Sequence, residues 1–482
     1  AGRRKSGRHG HGATELTLWK HQEEVLPALK SGHFLLAWEP GCGKTRPLLE
    51  AGKLYRQLYI CPSAIRFQVA EEAVRYGARE AADVQVIRSG KDKVREDAGL
   101  VVVSYDLAAT PEVWKQLFKQ SWGSLVLDEG HMLKTPSAKR TRAIYGFKAD
   151  SAGALFRRAE KVWVATGTPV LNDPSEIWTH VSRLFPEAKG DCRTLAHWIE
   201  KYCQYTDTPY GPKIFGVKNP TELRQKLSKT MSRLRKTDVL KELPPLLVDT
   251  FTVEPREIDL EGVPVEALEE LERLLRDDRS DIRSIETLSV PLATLRRRIG
   301  LAKAKAVAEA VQNYLWSGSN GKVLVFYQHT DVGQEIFDAL PYCGPVLYQG
   351  GMTPTQREAA IKSFAKDPKC KVFIGQIQAA GTGLNLQMAD RVFIAEPSWT
   401  PALNEQAIAR AYRGGQPNMV HASLCVLKKS VDEDVTRVLV RKAKLVSEIV
   451  DGAKDGGTQQ VRSKRGASVD AVPGLNQTLG RD

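Results

Sequence analysis

The sequence predicts an α/β protein built on two parallel sheets, each flanked by helices. Three observations carry this. Short apolar runs alternate with helical stretches in two separate series, from Phe34 to Ala165 and from Val323 to Leu427. Nearly every run ends directly in a polar cluster, as strands do when ligands bind at their carboxyl ends. The chain has 482 residues, 42% hydrophobic and 26% charged, enough for two or three domains that each bury a core.

In chain order, residues 1–13 read as a disordered basic arm carrying Arg3, Arg4, Lys5 and Arg8. The first lobe is placed at 14–246. Leu18, Val25, Leu26 and Leu29 recur with a helical period, and Gly32 breaks it before the strand Phe34–Trp38. That strand runs into Glu39-Pro40-Gly41-Cys42-Gly43-Lys44-Thr45. Gly41 and Gly43 let the backbone wrap a phosphate. Lys44 is placed to reach the outer phosphates and Thr45 to reach Mg²⁺. The loop departs from G-x-x-x-x-G-K-[ST] at Trp38, where a glycine is usual.

Further strands are expected at Leu58–Cys61, Val84–Ile87, Leu100–Val103, Leu125–Leu127 and Val162–Ala165. Four of the polar clusters that follow strands are Cys61-Pro62-Ser63, Ser104-Tyr105-Asp106, Asp128-Glu129-Gly130-His131 and Thr166-Gly167-Thr168-Pro169. At the end of a buried strand, Asp128 can hold Mg²⁺ and Glu129 can deprotonate a water aimed at a γ-phosphate. The same pair also reads as a helix cap and a solvated neighbour. Residues 172–245 form a helical, basic protrusion ending at Pro244-Pro245, and 247–316 a linker and helical insertion with Arg296, Arg297, Arg298, Lys303 and Lys305 on a short span. A face of that kind is either solvated or in contact with nucleic acid.

The second lobe is placed at 317–451, with strands at Val323–Phe326, Val346–Tyr348, Val372–Ile374, Val392–Ile394 and Leu424–Leu427, and a closing helix at Val431–Val450. It has no Gly-Lys-Thr, and offers instead Gly381-Thr382-Gly383-Leu384-Asn385-Leu386 and a segment with Gln406, Arg410, Arg413, Gly414, Gly415 and Gln416. If Gln406 to Arg413 is helical, Gln406, Arg410 and Arg413 share one face, from which two arginines can neutralise a transferring phosphoryl group. A solvated arginine face is the other reading. Residues 452–482 read as a disordered tail.

Composition narrows the class. A formal net charge of +13 favours a polyanionic partner, because counterion release drives binding to phosphate backbones. Seven cysteines without Cys-x-x-Cys spacing argue against a disulfide framework and a structural zinc site. No apolar run is long enough for a membrane span and no signal peptide is visible at the start, so the chain reads as cytoplasmic.

Taken together and in order, Gln22, Gly-Cys-Gly-Lys-Thr, Asp-Glu-Gly-His, Thr-Gly-Thr-Pro, Gly-Thr-Gly-Leu-Asn-Leu and Gln-x-x-x-Arg-x-x-Arg-x-Gly-Gln resemble the Swi/Snf-like branch of helicase superfamily 2, over about residues 16–450. Leu171-Asn172, Glu176-Ile177-Trp178, Leu234-Arg235-Lys236-Thr237 and Leu243-Pro244 are marks of that branch. The resemblance implies two RecA-like lobes with ATP and Mg²⁺ between them, and an ATP-driven walk along double-stranded DNA as a monomer. By the same resemblance Gln22 would read adenine. Gly41, Cys42, Gly43, Lys44, Thr45, Asp128, Gly381 and Gly383 would bind ATP, with Thr45 and Asp128 on the metal. Glu129, Lys44, Arg410, Arg413 and Gln406 would serve catalysis, and His131, Thr166, Gly167 and Thr168 would couple the site to DNA. Ser63, Ser104, Tyr105, Lys134, Gln328, His329, Thr382, Asn385 and Trp399 would contact the DNA backbone. Arg298 to Lys305 and Val325 to His329 are similar to the group containing annealing helicases. The absence of room for an accessory module suggests a compact bacterial or bacteriophage translocase. A strand-separating or annealing helicase acting on forks or RNA, a clamp without hydrolysis and a restriction motor are the rival readings.

Overall fold

The computed structural model describes residues 17–146, 153–167, 169, 173–209, 211–254, 289–318, 321–380, 384–398, 400–428, 430 and 432–433, with two short pieces at 461–462 and 468–469. The basic arm, residues 255–288 of the expected insertion, most of the expected closing helix and most of the tail lie outside them, as do Leu171 and Asn172.

The first sheet contains β1 (Phe34–Trp38), β2 (Gln57–Cys61), β3 (Val84–Val86), β4 (Leu100–Ser104), β5 (Trp122–Asp128) and β6 (Ala159–Ala165). A hairpin follows, β7 (Cys203–Thr208) paired antiparallel with β8 (Gly211–Val217), and then β9 (Met231–Leu234). Hydrogen-bonded neighbours run β3-β4-β2-β5-β6-β1-β9, and the pairs from β3 to β1 are parallel. Every residue of β2 and β4 is buried, so both faces of these strands are covered. Their apolar composition follows from that position.

The second sheet is wholly parallel, in the order β10 (Leu246–Val253), β15 (Val420–Leu427), β14 (Ala389–Ile394), β11 (Lys322–Tyr327), β13 (Val372–Gln376) and β12 (Pro345–Tyr348). Along β11 the side chains alternate between two cores. Leu324 and Phe326 join Tyr348, Phe364 and Phe373, while Val323, Val325 and Tyr327 join Val307, Val311 and Phe393. Burying each such side chain contributes roughly 1.5–3 kcal/mol, so this central strand holds helices on both faces. One of them, Ser289–Trp316, lies within the expected helical insertion.

By internal contacts the chain forms two compact units. The first comprises Ala1–Leu36, Gly43–Asp128 and Arg142–Ala165, and the second Ala37–Cys42, Glu129–Thr141 and Thr166–Asp482. The strand β10, expected as linker, belongs to the second sheet and pairs with β15 over eight residues. Its alternation in Leu246-Leu-Val-Asp-Thr-Phe-Thr-Val is a strand pattern that the flanking prolines and charges conceal. The protrusion likewise holds a hairpin and β9 among its helices.

Candidate functional site

Strand register sets the level at which the polar clusters emerge. Leu36 is paired with Ala165, and Ala165 with Asp128, so β5 and β6 end at one level and β1 runs on to Trp38. The segments 37–42, 129–141 and the chain from 166 are grouped with the second unit.

Within the first unit, Gly43 has φ 74°, a conformation that favours glycine. A Cβ there would also stand 2.5 Å from the Gln22 amide nitrogen. Gln22 Nε2 donates to the Gly43 carbonyl at 2.9 Å while its Oε1 accepts from the Trp19 backbone at 2.9 Å, so this amide is tied to the phosphate loop. Lys44 directly precedes the helix Thr45–Gly52, whose first-turn N–H groups have no carbonyl within the helix to bond. Asp128 is buried and accepts from the Tyr59 hydroxyl at 2.9 Å, which fixes the orientation of its carboxylate. Burial, and then Asp128, holds the Tyr59 hydroxyl protonated far above its ordinary range. The hydroxyl of Thr45 and the carboxylate of Asp128 are the hard oxygen donors that Mg²⁺ takes when phosphates and water complete its shell.

In the second unit, Gly41 has φ 95°. Gly167 packs on Pro40 so closely that a Cβ would meet the proline ring at 2.8 Å. Trp38, where the common phosphate-loop pattern has a glycine, is fully buried and its indole donates to Ser232 Oγ at 2.9 Å. Arg233 donates to the carbonyls of Ala37 and Gly167 at 3.0 and 3.1 Å, fastening the two loops together.

Glu129 has φ 53° and ψ 49°, a left-handed conformation uncommon outside glycine, asparagine and aspartate and costly for a glutamate. His131 Nδ1 lies 3.3 Å from Glu129 Oε2 and 3.2 Å from Thr166 Oγ1, linking the two strand ends. Beneath them His180 is buried with Nε2 3.1 Å from the Gly130 carbonyl. Burial lowers its pKa to about 4, so it is a neutral donor that pins the loop.

The helix expected to run from Gln406 to Arg413 stops at Ile408. Beyond it the backbone tightens, with Arg410 N–H bonded to the Ala407 carbonyl and Ala411 N–H to that of Ile408, before Gly414 and Gly415. The arginines are presented by this turn rather than by a helix face. Arg410 Nε donates to the Gln406 carbonyl at 2.9 Å, and both Arg410 and Arg413 reach the Leu384 carbonyl at 3.3 Å. Burial, with Arg413 beside it, lowers the Arg410 pKa to about 10 against the opposing pull of Glu129. Gln406 is 1% exposed, and neither its amide nitrogen nor its oxygen has a hydrogen-bond partner among the described residues. A buried amide in that state is suited to receive a polar ligand.

The residues expected on DNA are placed unequally. Ser63 and Asn385 are exposed. Ser104 is buried as the cap of the helix Tyr105–Ala108, and Tyr105 is buried with its hydroxyl on the Asp128 carbonyl at 2.7 Å, so neither offers an exposed side chain to a backbone. Lys134 is paired at 3.0 Å with the buried Glu176. Gln328 and His329 are bound to Glu396. In the basic span after 295, Lys303 is buried on Asp432 and the Cys425 carbonyl, and Arg296 donates to the Pro397 carbonyl, so these two are not a solvated face. Thr168, Gly381, Thr382, Gly383 and Trp399 lie outside the described residues.

Sequence reasoning did not assign roles to Arg233, Lys236, His180 or Glu396. The signal for Lys236 was present in the Leu-Arg-Lys-Thr block, but nothing in it says that the lysine meets the phosphate loop.

Two family models match the chain: the SNF2-related domain over residues 30–261 and the helicase conserved C-terminal domain over residues 304–415. Among curated proteins, the DNA annealing helicase and endonuclease ZRANB3 of Bos taurus is 29% identical over 444 residues, covering 88% of this chain and 40% of that protein. The SWI/SNF-related matrix-associated actin-dependent regulator of chromatin subfamily A-like protein 1 of Xenopus tropicalis is 28% identical over 431 residues, covering 87% and 43%. This chain thus spans about two fifths of the length of these relatives. A solved structure, the Sulfolobus solfataricus SWI2/SNF2 ATPase core in complex with dsDNA, covers 91% of this chain and 93% of its own at 20% identity with a TM-score of 0.41, too weak a likeness to add to the sequence matches. The chain thus carries an SNF2-related domain followed by a helicase conserved C-terminal domain, an arrangement that fits the Swi/Snf-like branch of helicase superfamily 2 and an ATP-hydrolysing enzyme.

Proposed function

We propose that the chain is a DNA-dependent ATPase that moves along double-stranded DNA. The observation that carries the hydrolytic part is that Glu129, in its left-handed backbone, and the buried Arg410 lie in one compact unit, where the carboxylate favours the charge of the guanidinium. A carboxylate placed to deprotonate water and an arginine placed to neutralise phosphoryl charge are the two groups that phosphoryl transfer to water needs. Lys44 and the glycines Gly41 and Gly43 would hold the phosphates. Thr45 and Asp128 would hold Mg²⁺, which supplies charge neutralisation on the phosphates when bound. Gln406 would use its amide on the phosphate side, and His131 with Thr166 would pass the state of the site to the loop after β6.

The net positive charge and the relatives' names support DNA as the partner. Contacts are chiefly to phosphate and sugar, so affinity depends steeply on salt and little on sequence. Strand annealing at forks is the second reading, favoured by the two-fifths match to a DNA annealing helicase.

ATP turnover is measured with duplex DNA, single-stranded DNA and RNA, for the wild type and Glu129→Gln. Duplex DNA is expected to stimulate most, and Glu129→Gln to lower kcat by about 10²–10⁴-fold, the range for loss of a general base. Turnover unchanged by Glu129→Gln would remove the centre of the proposal. A triplex-displacement assay beside annealing of complementary strands separates the two readings: displacement marks the translocase, annealing without displacement the alternative.

A further inference from the structure

Lys236 is 7% exposed and has no role in the motifs described so far. Its environment is unusual for an ammonium group. Nζ donates to the Tyr412 carbonyl at 2.9 Å and lies 5.0 Å from the centre of the Tyr412 ring. Its backbone N–H donates to Glu39 Oε2 at 3.0 Å, at the first residue of the phosphate loop. A Cβ placed on Gly41 would stand 3.3 Å from Lys236 Cε and 3.4 Å from Arg413 Cβ, so the loop, the lysine and the arginine turn meet at one glycine. The charged and titratable groups around it pull both ways: Glu39, Cys42 and Glu405 favour its charge, and Arg410 disfavours it. A methionine would fill the same space without an ammonium to desolvate. The cation is therefore kept for what its N–H groups hold.

We infer that Lys236 is a positioning residue of the nucleotide reaction, a clasp that holds the Tyr412–Arg413 turn against the first glycine of the phosphate loop. It acts through Arg413 and touches no reacting atom. One end of the clasp is the Glu39 carboxylate, the other the carbonyl just before Arg413, so a change at Lys236 displaces the arginine while Gly41 keeps its shape. Losing a misplacement-sensitive group in this way lowers the rate of chemistry more than the binding of ATP. The inference rests on the ATPase reading above.

The test is a double-mutant cycle in duplex-stimulated ATP turnover with Lys236→Met, Arg413→Ala and the pair. Lys236→Met is expected to lower kcat by about 10–100-fold with the KM for ATP within about threefold, and to add less than about twofold in the Arg413→Ala background. Lys236→Gln, whose amide can still donate to the Tyr412 carbonyl, is expected to retain more activity than Lys236→Met, and it carries the cycle if the methionine variant unfolds. Wild-type kcat in Lys236→Met, or the same fold-loss in both backgrounds, would overturn the clasp. An inactive wild type, or an active Glu129→Gln, would instead overturn the ATPase reading on which it stands.

Discussion

Glu129 and Glu396 both follow the carboxyl end of a parallel strand, one after β5 of the first sheet and the other just past β14 of the second, yet they are used in opposite ways. Glu396 is closed. It accepts from the backbone N–H of Gln328 and His329 at 2.8 and 2.9 Å, and its other oxygen faces His329 Nδ1 at 2.7 Å. Gly300, in the helix Ser289–Trp316, approaches it so nearly that a Cβ would fall 2.6 Å from Oε1. A glycine in a helix interior costs about 0.5–1 kcal/mol relative to alanine, and this one is placed where the carboxylate needs the room. Glu129 is held in a left-handed backbone next to His131 and within the field of Arg410. The difference teaches how one architecture serves two ends. Where a strand-end carboxylate accepts from backbone donors it locks a loop, and where it is held in a left-handed backbone within the field of an arginine it suits the chemistry proposed above.

The largest expected effect opens the closed end. Glu396→Ala leaves two backbone N–H groups and an imidazole without their acceptor, and each stranded buried donor costs about 1–3 kcal/mol, for a loss of roughly 3–5 kcal/mol in urea unfolding. Binding of a fluorescent ATP analogue at the phosphate loop should survive. Glu129→Gln should do the reverse, abolishing turnover with the unfolding midpoint unmoved. If both variants lost stability equally, the contrast between a structural and a chemical carboxylate would be gone.

A second experiment sharpens it through Lys236, a buried cation that joins the phosphate loop to the arginine turn. Burial lowers the Lys236 pKa from 10.5 to about 8, with Glu39 and Cys42 opposing the shift. The unfolded chain holds that proton up to about pH 10.5, so between pH 8 and 10.5 it binds more protons than the folded one, and stability from this group rises with pH. At neutral pH the folded protein carries the full penalty, up to about 3 kcal/mol at 1.36 kcal/mol per pKa unit. Lys236→Met should therefore unfold at higher urea than the wild type at pH 7, with the gap narrowing from pH 8 to 10. A gap independent of pH would mean that the ammonium is not desolvated.

The sequence showed the strands with long apolar runs, because two covered faces favour apolar residues through most of β2 and β4. Where it fell short, the partner was remote. Nothing in Met231-Ser-Arg-Leu announces a strand, since what makes it one is Ser232 under the Trp38 indole and Arg233 on two carbonyls. The acids and glycines of the site were legible as residue types at strand ends. Their burial was not: Tyr105 and Ser104 look like surface contacts in a list of polar residues, and only the register of β4 beside β2 and β2 beside β5 turns Tyr105 inward onto Asp128. The helix end at Ile408 was hidden because Ala409-Arg-Ala-Tyr has good helical propensity, and the turn is set by Leu386 N–H bonding the Arg410 carbonyl.

Trp38 gives the smallest effect and the narrowest test, since it marks where the first sheet stops being scaffold and becomes site. Read by pattern alone, it is a defect in the phosphate loop. In the fold it is the last residue of β1, fully buried, its indole on Ser232 of β9. Trp38→Phe removes that one hydrogen bond and leaves the Ser232 hydroxyl a less polar neighbour, at a cost of about 1–2 kcal/mol. The KM for ATP and kcat should stay within twofold, because the positive-φ glycines at 41 and 43 are untouched. A tenfold rise in KM with unchanged stability would move the edge of the cradle back to position 38, and the division between a satisfied strand end and an open one would then fall within β1 itself.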